Sequence, residues 1–217
     1  MNQPATPVAP STQAGFAYDA LKRKILSGAL AGGERIHQSD WADRLNISIT
    51  PVREAIRRLE QDGLVTSEAH RGSTVNRLTL AAAEEIYALR LAVEPLQIRR
   101  AVGKMTPRKS ARAQFLCDEM ATLTDVVLFT DYNQEFHKIT MAHDNSWTAH
   151  TVAMLAAAAA PYVSLSVTLR PEQIYSSNRD HYQILEATLD EDVERVIELE
   201  RNHVLSTLEI LRESLEE

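Results

Sequence analysis

The 217-residue chain has a single cysteine, Cys117. One thiol closes no intramolecular disulfide and builds no cysteine-based zinc finger. Glycine is scarce at 7 residues and proline at 8, with Pro4, Pro7 and Pro10 confined to the start. That excludes collagen-like and Pro/Gly-rich low-complexity chains. Aromatic residues make up only 6%, while Ala, Leu and Glu are plentiful, a balance that favours helix. No run approaches 18 consecutive apolar residues, so no membrane span and no membrane partner are expected. Met1 to Gln13 has neither a basic segment nor an apolar one, so it does not read as a signal peptide. These features lead to the expectation of a reducing, cytoplasmic setting.

The net charge of -7 argues against nucleic acid only until its distribution is read. Residues 14–77 carry ten Lys/Arg and eight Asp/Glu, a net of +2, whereas 78–217 carry thirteen and twenty-two, a net of -9. Residues 1–13 carry no side-chain charge and little to bury, and are expected to form a disordered tail. A mildly basic domain over 14–77 and an acidic one over 78–217 imply two different partners.

Within 14–77, Phe16, Ala20, Leu21, Ile25 and Leu26 fall on one face of a helix that ends at Gly28. Ser39 is placed to cap a second helix running through Leu45, and Asn46 to Ser48 to turn the chain. Thr50 as N-cap and Pro51 as first residue open a third helix, with Val52, Ala55, Ile56 and Leu59 at helical spacing and Gly63 as its stop. Residues 64–66 and 73–75 read as short strands around the polar turn Glu68 to Gly72. Three helices and a hairpin spell a winged helix-turn-helix whose third helix enters the major groove of double-stranded DNA. Ser48, Thr50, Pro51 and Arg53 at its start, Arg57 one turn on, Ser39 on the second helix, and His70, Arg71 and Gly72 at the wing tip are the expected DNA contacts. An ordinary solvated basic face is the competing reading of the arginines.

These segments resemble GntR-type transcriptional regulators. The resemblance is carried by Ile25-Leu26-Ser27-Gly28-Ala29-Leu30 with Gly33-Glu34-Arg35-Ile36, by Ile47 to Ala55, by Arg58-Leu59-Glu60, by Asp62-Gly63-Leu64-Val65 and by Arg71-Gly72. It implies operator binding. It also marks a departure, because the family usually has an arginine DNA contact where this chain has Ile49.

Residues 78–217 read as about six helices without a repeat, hence an all-α bundle. Thr79, Thr106 with Pro107, and Ser146 are helix starts; Asp144-Asn145 and Pro171 are breaks. Asn133 and His137 lie i, i+4 on one helix face. Antiparallel packing of the last two helices would bring His181 and His203 to similar depth. Three imidazoles and one oxygen donor suit a divalent ion such as zinc or nickel with open positions; scattered surface or core histidines are the competing reading. The segments Glu85-Ile86-Tyr87, Leu89-Arg90, Glu94-Pro95-Leu96, Phe136-His137, Asp180-His181, Ile184-Leu185 and Asp192 with Arg201 and His203 resemble the FCD ligand-binding domain of the FadR-like GntR subgroup. That resemblance implies a metal held by Asn133, His137, His181 and His203. Metal-binding members carry Asp or Asn at the first of these positions; Asn in place of Asp removes one negative charge from the set, which implies weaker metal retention or an altered choice of metal.

Arg90 reads as half of a buried salt bridge or, alternatively, as a forked grip on an effector carboxylate. Cys117 reads as a small core residue, His143 as a helix-end residue, His150 as a surface residue, and Trp41 and Trp147 as packing residues. The expected function is a homodimeric, ligand-responsive regulator that binds a palindromic operator and senses a small organic acid. A metalloenzyme using the histidines is the alternative, although the sequence shows no carboxylate placed as an obvious general base. The winged-helix residues disfavour a purely structural interaction module.

Overall fold

A computed structural model of the protein describes residues 12–68, 72–141 and 144–215. The chain divides into two compact units, one ending at Arg77 and the other beginning at Leu78. The first holds α1 (Gln13–Leu26), β1 (Arg35–Ile36), α2 (Gln38–Leu45), α3 (Ile49–Gln61), β2 (Val65–Glu68) and β3 (Gly72–Val75). Helix α1 packs against α3, burying Ala17, Leu21, Val52, Ala55, Ile56 and Leu59. Each large aliphatic side chain among them contributes about 1.5–3 kcal/mol by leaving water. The strands form one antiparallel sheet in the order β1-β3-β2, with Arg35 opposite Thr74 and Val65 opposite Val75.

Both helices of the helix-turn-helix end in the same way. After α3, Gly63 N–H donates to Glu60 C=O and Leu64 N–H to Leu59 C=O, with Gly63 at φ 70°. After α2, Asn46 N–H donates to Asp43 C=O and Ile47 N–H to Ala42 C=O, with Asn46 at φ 52°. This paired closure requires a left-handed residue, the conformation that Gly and then Asn adopt at least cost. It sets the tight turn that leads α2 into α3.

Several local expectations are corrected. The tail does not reach Gln13: Thr12 caps α1, its hydroxyl accepting from Gly15 N–H at 3.0 Å. Residues 1–11 lie outside the described residues. His37, not Ser39, occupies the N-cap of α2; Ser39 sits in the first turn and donates to Asp40 Oδ1 at 3.2 Å. Ser48, not Thr50, is the N-cap residue of α3, making Thr50 and Pro51 its second and third residues. Proline is tolerated there because the first-turn N–H groups have no intrahelical acceptor. Strand β1 was not foreseen, since two residues carry no readable period.

The second unit holds α4 (Leu80–Ala101), α5 (Pro107–Met120), α6 (Val126–Thr140), α7 (Trp147–Leu169), α8 (Gln173–Leu189) and α9 (Val193–Ser214). Thr79, Thr106, Asp125, Ser146 and Asp192 accept backbone N–H bonds at five of the starts. Helix α4 packs on α7 and α9, α8 on α9, and α5 on α6 and α8. One apolar centre gathers Leu116, Met120, Phe129, Phe136 and Ile184; another gathers Tyr87, Tyr162, Leu208 and Leu211.

Cys117 is fully buried, and burial followed by the neighbouring Asp118 charge pushes its thiol up to about 12. Trp41 is buried, but Trp147 is 90% exposed at the start of α7, which corrects its expected packing role. Helix α7 is long and apolar enough to cross a membrane by length and composition alone, a test that the core helix of a bundle also passes. Half of its most apolar window is buried, with Val152, Leu155, Ala159 and Ala160 covered by the bundle. His150 is exposed; His143 lies outside the described residues.

Candidate nucleic-acid interface and histidine centre

Helix α3 buries Val52, Ala55, Ile56 and Leu59, which turns the side of the helix carrying Arg53 and Arg57 to solvent. Arg53 Nε donates to Gln38 Oε1 at 3.4 Å, linking the start of α3 to the start of α2. Ser39, Ser48, Thr50 and Ile49 are exposed in the same stretch. Pro51 is buried. Arg58 stays within the unit, its guanidinium 4.2 Å from the centre of the Tyr18 ring. At the wing, Gly72 opens β3 at φ 83°; His70 and Arg71 lie outside the described residues.

In the second unit, α6, α8 and α9 each deliver one histidine to a shared centre. His137, His181 and His203 are all buried, and one ring nitrogen from each lies within 4.8 Å of the others. Ring centroids are separated by 5.1 Å for His137 and His181, 5.0 Å for His137 and His203, and 4.8 Å for His181 and His203. His137 Nε2 and His203 Nε2 face one another at 3.3 Å. Each of these two rings is held from behind. His137 Nδ1 lies 3.0 Å from Glu200 Oε1, and His203 Nδ1 lies 3.2 Å from Asp180 Oδ2.

His181 has no solvent exposure, and neither ring nitrogen has a hydrogen-bond partner. Burial, then the neighbouring His203 and His137, hold it well below the ordinary imidazole range. It is therefore neutral, as a metal-ligating imidazole must be. Glu200 is 2% exposed. Burial works to raise its carboxyl, but His137, His203 and Arg90 outweigh burial and hold it below the usual carboxylate value.

Asn133 lies one turn before His137 with its Oδ1 buried and unpartnered. Two small cavities, about 40 Å³ and 10 Å³, adjoin the centre, and Asn133, His137 and Arg90 line both. Arg90 makes the buried ion pair that the sequence offered as one of its readings: Nε donates to Glu94 Oε1 at 2.6 Å.

Sequence reasoning missed Glu200 and gave no role to Asp180. A signal was present, because Glu200 precedes His203 by three residues and shares its helix face. Its pairing with His137 on α6 depends on helix packing.

A winged helix-turn-helix followed by an all-helical bundle with a buried polar centre defines a DNA-binding regulator with a separate helical domain. Residues 13–75 match the family described as bacterial regulatory proteins, gntR family, and residues 85–206 match the FCD domain. The chain belongs to the GntR family of transcriptional regulators, in the group that carries an FCD domain.

It is 27% identical over 206 residues to an uncharacterised HTH-type transcriptional regulator, BphR, of Paraburkholderia xenovorans, covering 90% of this chain and 84% of that one. It is 27% identical over 189 residues to the HTH-type transcriptional repressor RspR of Escherichia coli, covering 83% and 82%. The solved structure of Escherichia coli McbR/YncC shares the fold, with a TM-score of 0.77 at 21% identity over 93% of this chain and 98% of that one. The family and these relatives are transcriptional regulators rather than enzymes, which sets aside the metalloenzyme alternative.

Proposed function

We propose that the protein is a cytoplasmic homodimer whose DNA affinity is set by a small organic acid bound beside a divalent ion in the helical unit. Residues 14–77 bind the operator; residues 78–217 bind the effector and join the two copies. Two recognition helices related by a twofold axis read a palindromic operator, with half-sites one helical turn apart or at a related spacing. Arg53 and Arg57 lie along the groove. Ser39, Ser48 and Thr50 approach phosphates, and His70, Arg71 and Gly72 extend the wing to the backbone or minor groove. Pro51 shapes the start of the helix.

One observation carries the sensor reading. Three buried imidazoles converge, and the nitrogens turned inward have no partner but one another. Buried polar atoms without partners are costly, and a Lewis acid among them satisfies all three. His137, His181 and His203 would hold a zinc or nickel ion, with Asn133 as a neutral oxygen donor. A bound dication supplies positive charge and open positions that attract a carboxylate. Arg90 offers a second grip from the cavity wall. The cavities admit only a few water-sized atoms, so a short hydroxy acid or dicarboxylate fits better than a long-chain acid.

A thermal-shift screen of small organic acids, with zinc and after chelation, tests the sensor. A gel shift on the upstream region of its own gene, with and without the hit, tests the coupling. Acid binding that survives chelation would leave His and Arg90 as the effector site and remove the metal from it.

A further inference from the structure

We infer that Glu200 completes the histidine centre of this chain: it positions His137 and supplies the negative charge that Asn133 does not. The inference rests on the reading of the centre as a divalent-ion site. Three neutral imidazoles and one amide bring no charge to a dication, and an unbalanced charge in a bundle interior is expensive. Arg90 and Glu94 already neutralise each other at 2.6 Å. Among the groups bonded to the three rings, the carboxylates are Glu200 and Asp180.

The two differ in a way that decides between them. The side chain of Asp180 is 36% exposed, so water shares its charge. That of Glu200 is 2% exposed, and its Oε2 is buried without a partner. A buried carboxylate with one oxygen unpartnered gains further compensation from a dication on the far side of the His137 ring.

The geometry sets its role as positioning rather than ligation. The three nitrogens that lie within 4.8 Å of one another belong to His137, His181 and His203 alone. Glu200 meets His137 on the other side of the ring, at Nδ1. A carboxylate there accepts the Nδ1–H and leaves Nε2 with its lone pair turned to the centre. Asp180 imposes the same tautomer on His203. Two such lone pairs, 3.3 Å apart, repel until an electrophile sits among them.

The test uses the full chain, stripped with chelator and titrated with zinc by competition against a chromophoric chelator. The wild type binds one equivalent. The near-isosteric E200Q variant binds about 10–100-fold more weakly, the usual cost of losing an outer carboxylate. N133D in the E200Q background restores most of that loss, because the charge returns from the other side of the centre; a merely structural role for Glu200 predicts no such rescue. In long-range 1H–15N spectra of the metal-free protein, His137 is the Nδ1–H tautomer, and E200M shifts it towards Nε2–H. Tight zinc binding by the wild type with unchanged binding by folded E200Q overturns this inference alone, as does failure of N133D to rescue. Absence of zinc binding by the wild type overturns the metal reading and this inference together.

Discussion

Arg90 donates through Nε to Glu94, one turn along α4, at 2.6 Å, with less than a tenth of either side chain exposed. The pair is both a structural ion pair and part of the wall of the two cavities beside the histidines. The two roles separate by mutation. R90A leaves a buried carboxylate unpaired and is expected to cost about 3–5 kcal/mol. The double variant R90M/E94L removes both charges and is expected to regain most of that stability in urea unfolding. If Arg90 grips the effector, R90M/E94L folds and binds operator but no longer responds to the acid. A normal response in that folded variant removes Arg90 from the effector site.

Arg53 is the strongest single candidate on α3, exposed at the helix start and tied to Gln38. R53A is expected to weaken operator binding by about 1–3 kcal/mol if the guanidinium reads a base edge. Fluorescence anisotropy on matched and scrambled operators distinguishes a base contact from a phosphate contact. Equal losses on both sequences assign Arg53 to the backbone, and no loss on either places it outside the interface.

Two of the three imidazoles come from α8 and α9, and H181A/H203A removes both. Protein purified without chelator should carry close to one equivalent of metal per chain by elemental analysis, and this variant close to none. Effector response should vanish while DNA binding persists, because the histidines lie in the second unit and α3 in the first. A variant that still responds normally places the sensor elsewhere.

A single winged helix has a small footprint, and two copies give operators the affinity and symmetry they require. Analytical ultracentrifugation at micromolar concentration should give twice the 24.3 kDa chain mass. A monomeric mass both with and without DNA would sink the palindromic reading.

Gly63 closes α3 at φ 70°, where a side chain on Cβ is strained. G63A is expected to cost about 1–2 kcal/mol, read as a lower unfolding midpoint. A midpoint equal to wild type would show that the turn relaxes without left-handed backbone.

Much of the fold was legible because its signals are local. The pattern of Val52, Ala55, Ile56 and Leu59 defines a buried helix face, and Thr79, Thr106 and Ser146 mark helix starts by chemistry that acts within one turn. Boundaries were less so. Thr50 followed by Pro51 is a good cap pair, yet Ser48 takes the N-cap position and the helix begins two residues earlier, at Ile49. Trp147 misled for a different reason: large apolar residues usually pack, but this side chain projects from the start of α7 with 90% of its surface exposed, while Ala149 two residues on is buried.

The histidine centre divides along the same line. The i, i+4 spacing of Asn133 and His137 and the placing of His181 and His203 on the final two helices follow from residue order and helical period alone. The partner of each ring does not. That His137 backs onto Glu200 and His203 onto Asp180, with their Nε2 atoms opposed, depends on how α6, α8 and α9 cross. Helical period repeats along a chain and can be read from it. The depth and rotation of one helix against another come from the fit of side chains across many residues, and that fit exists only once the bundle has packed.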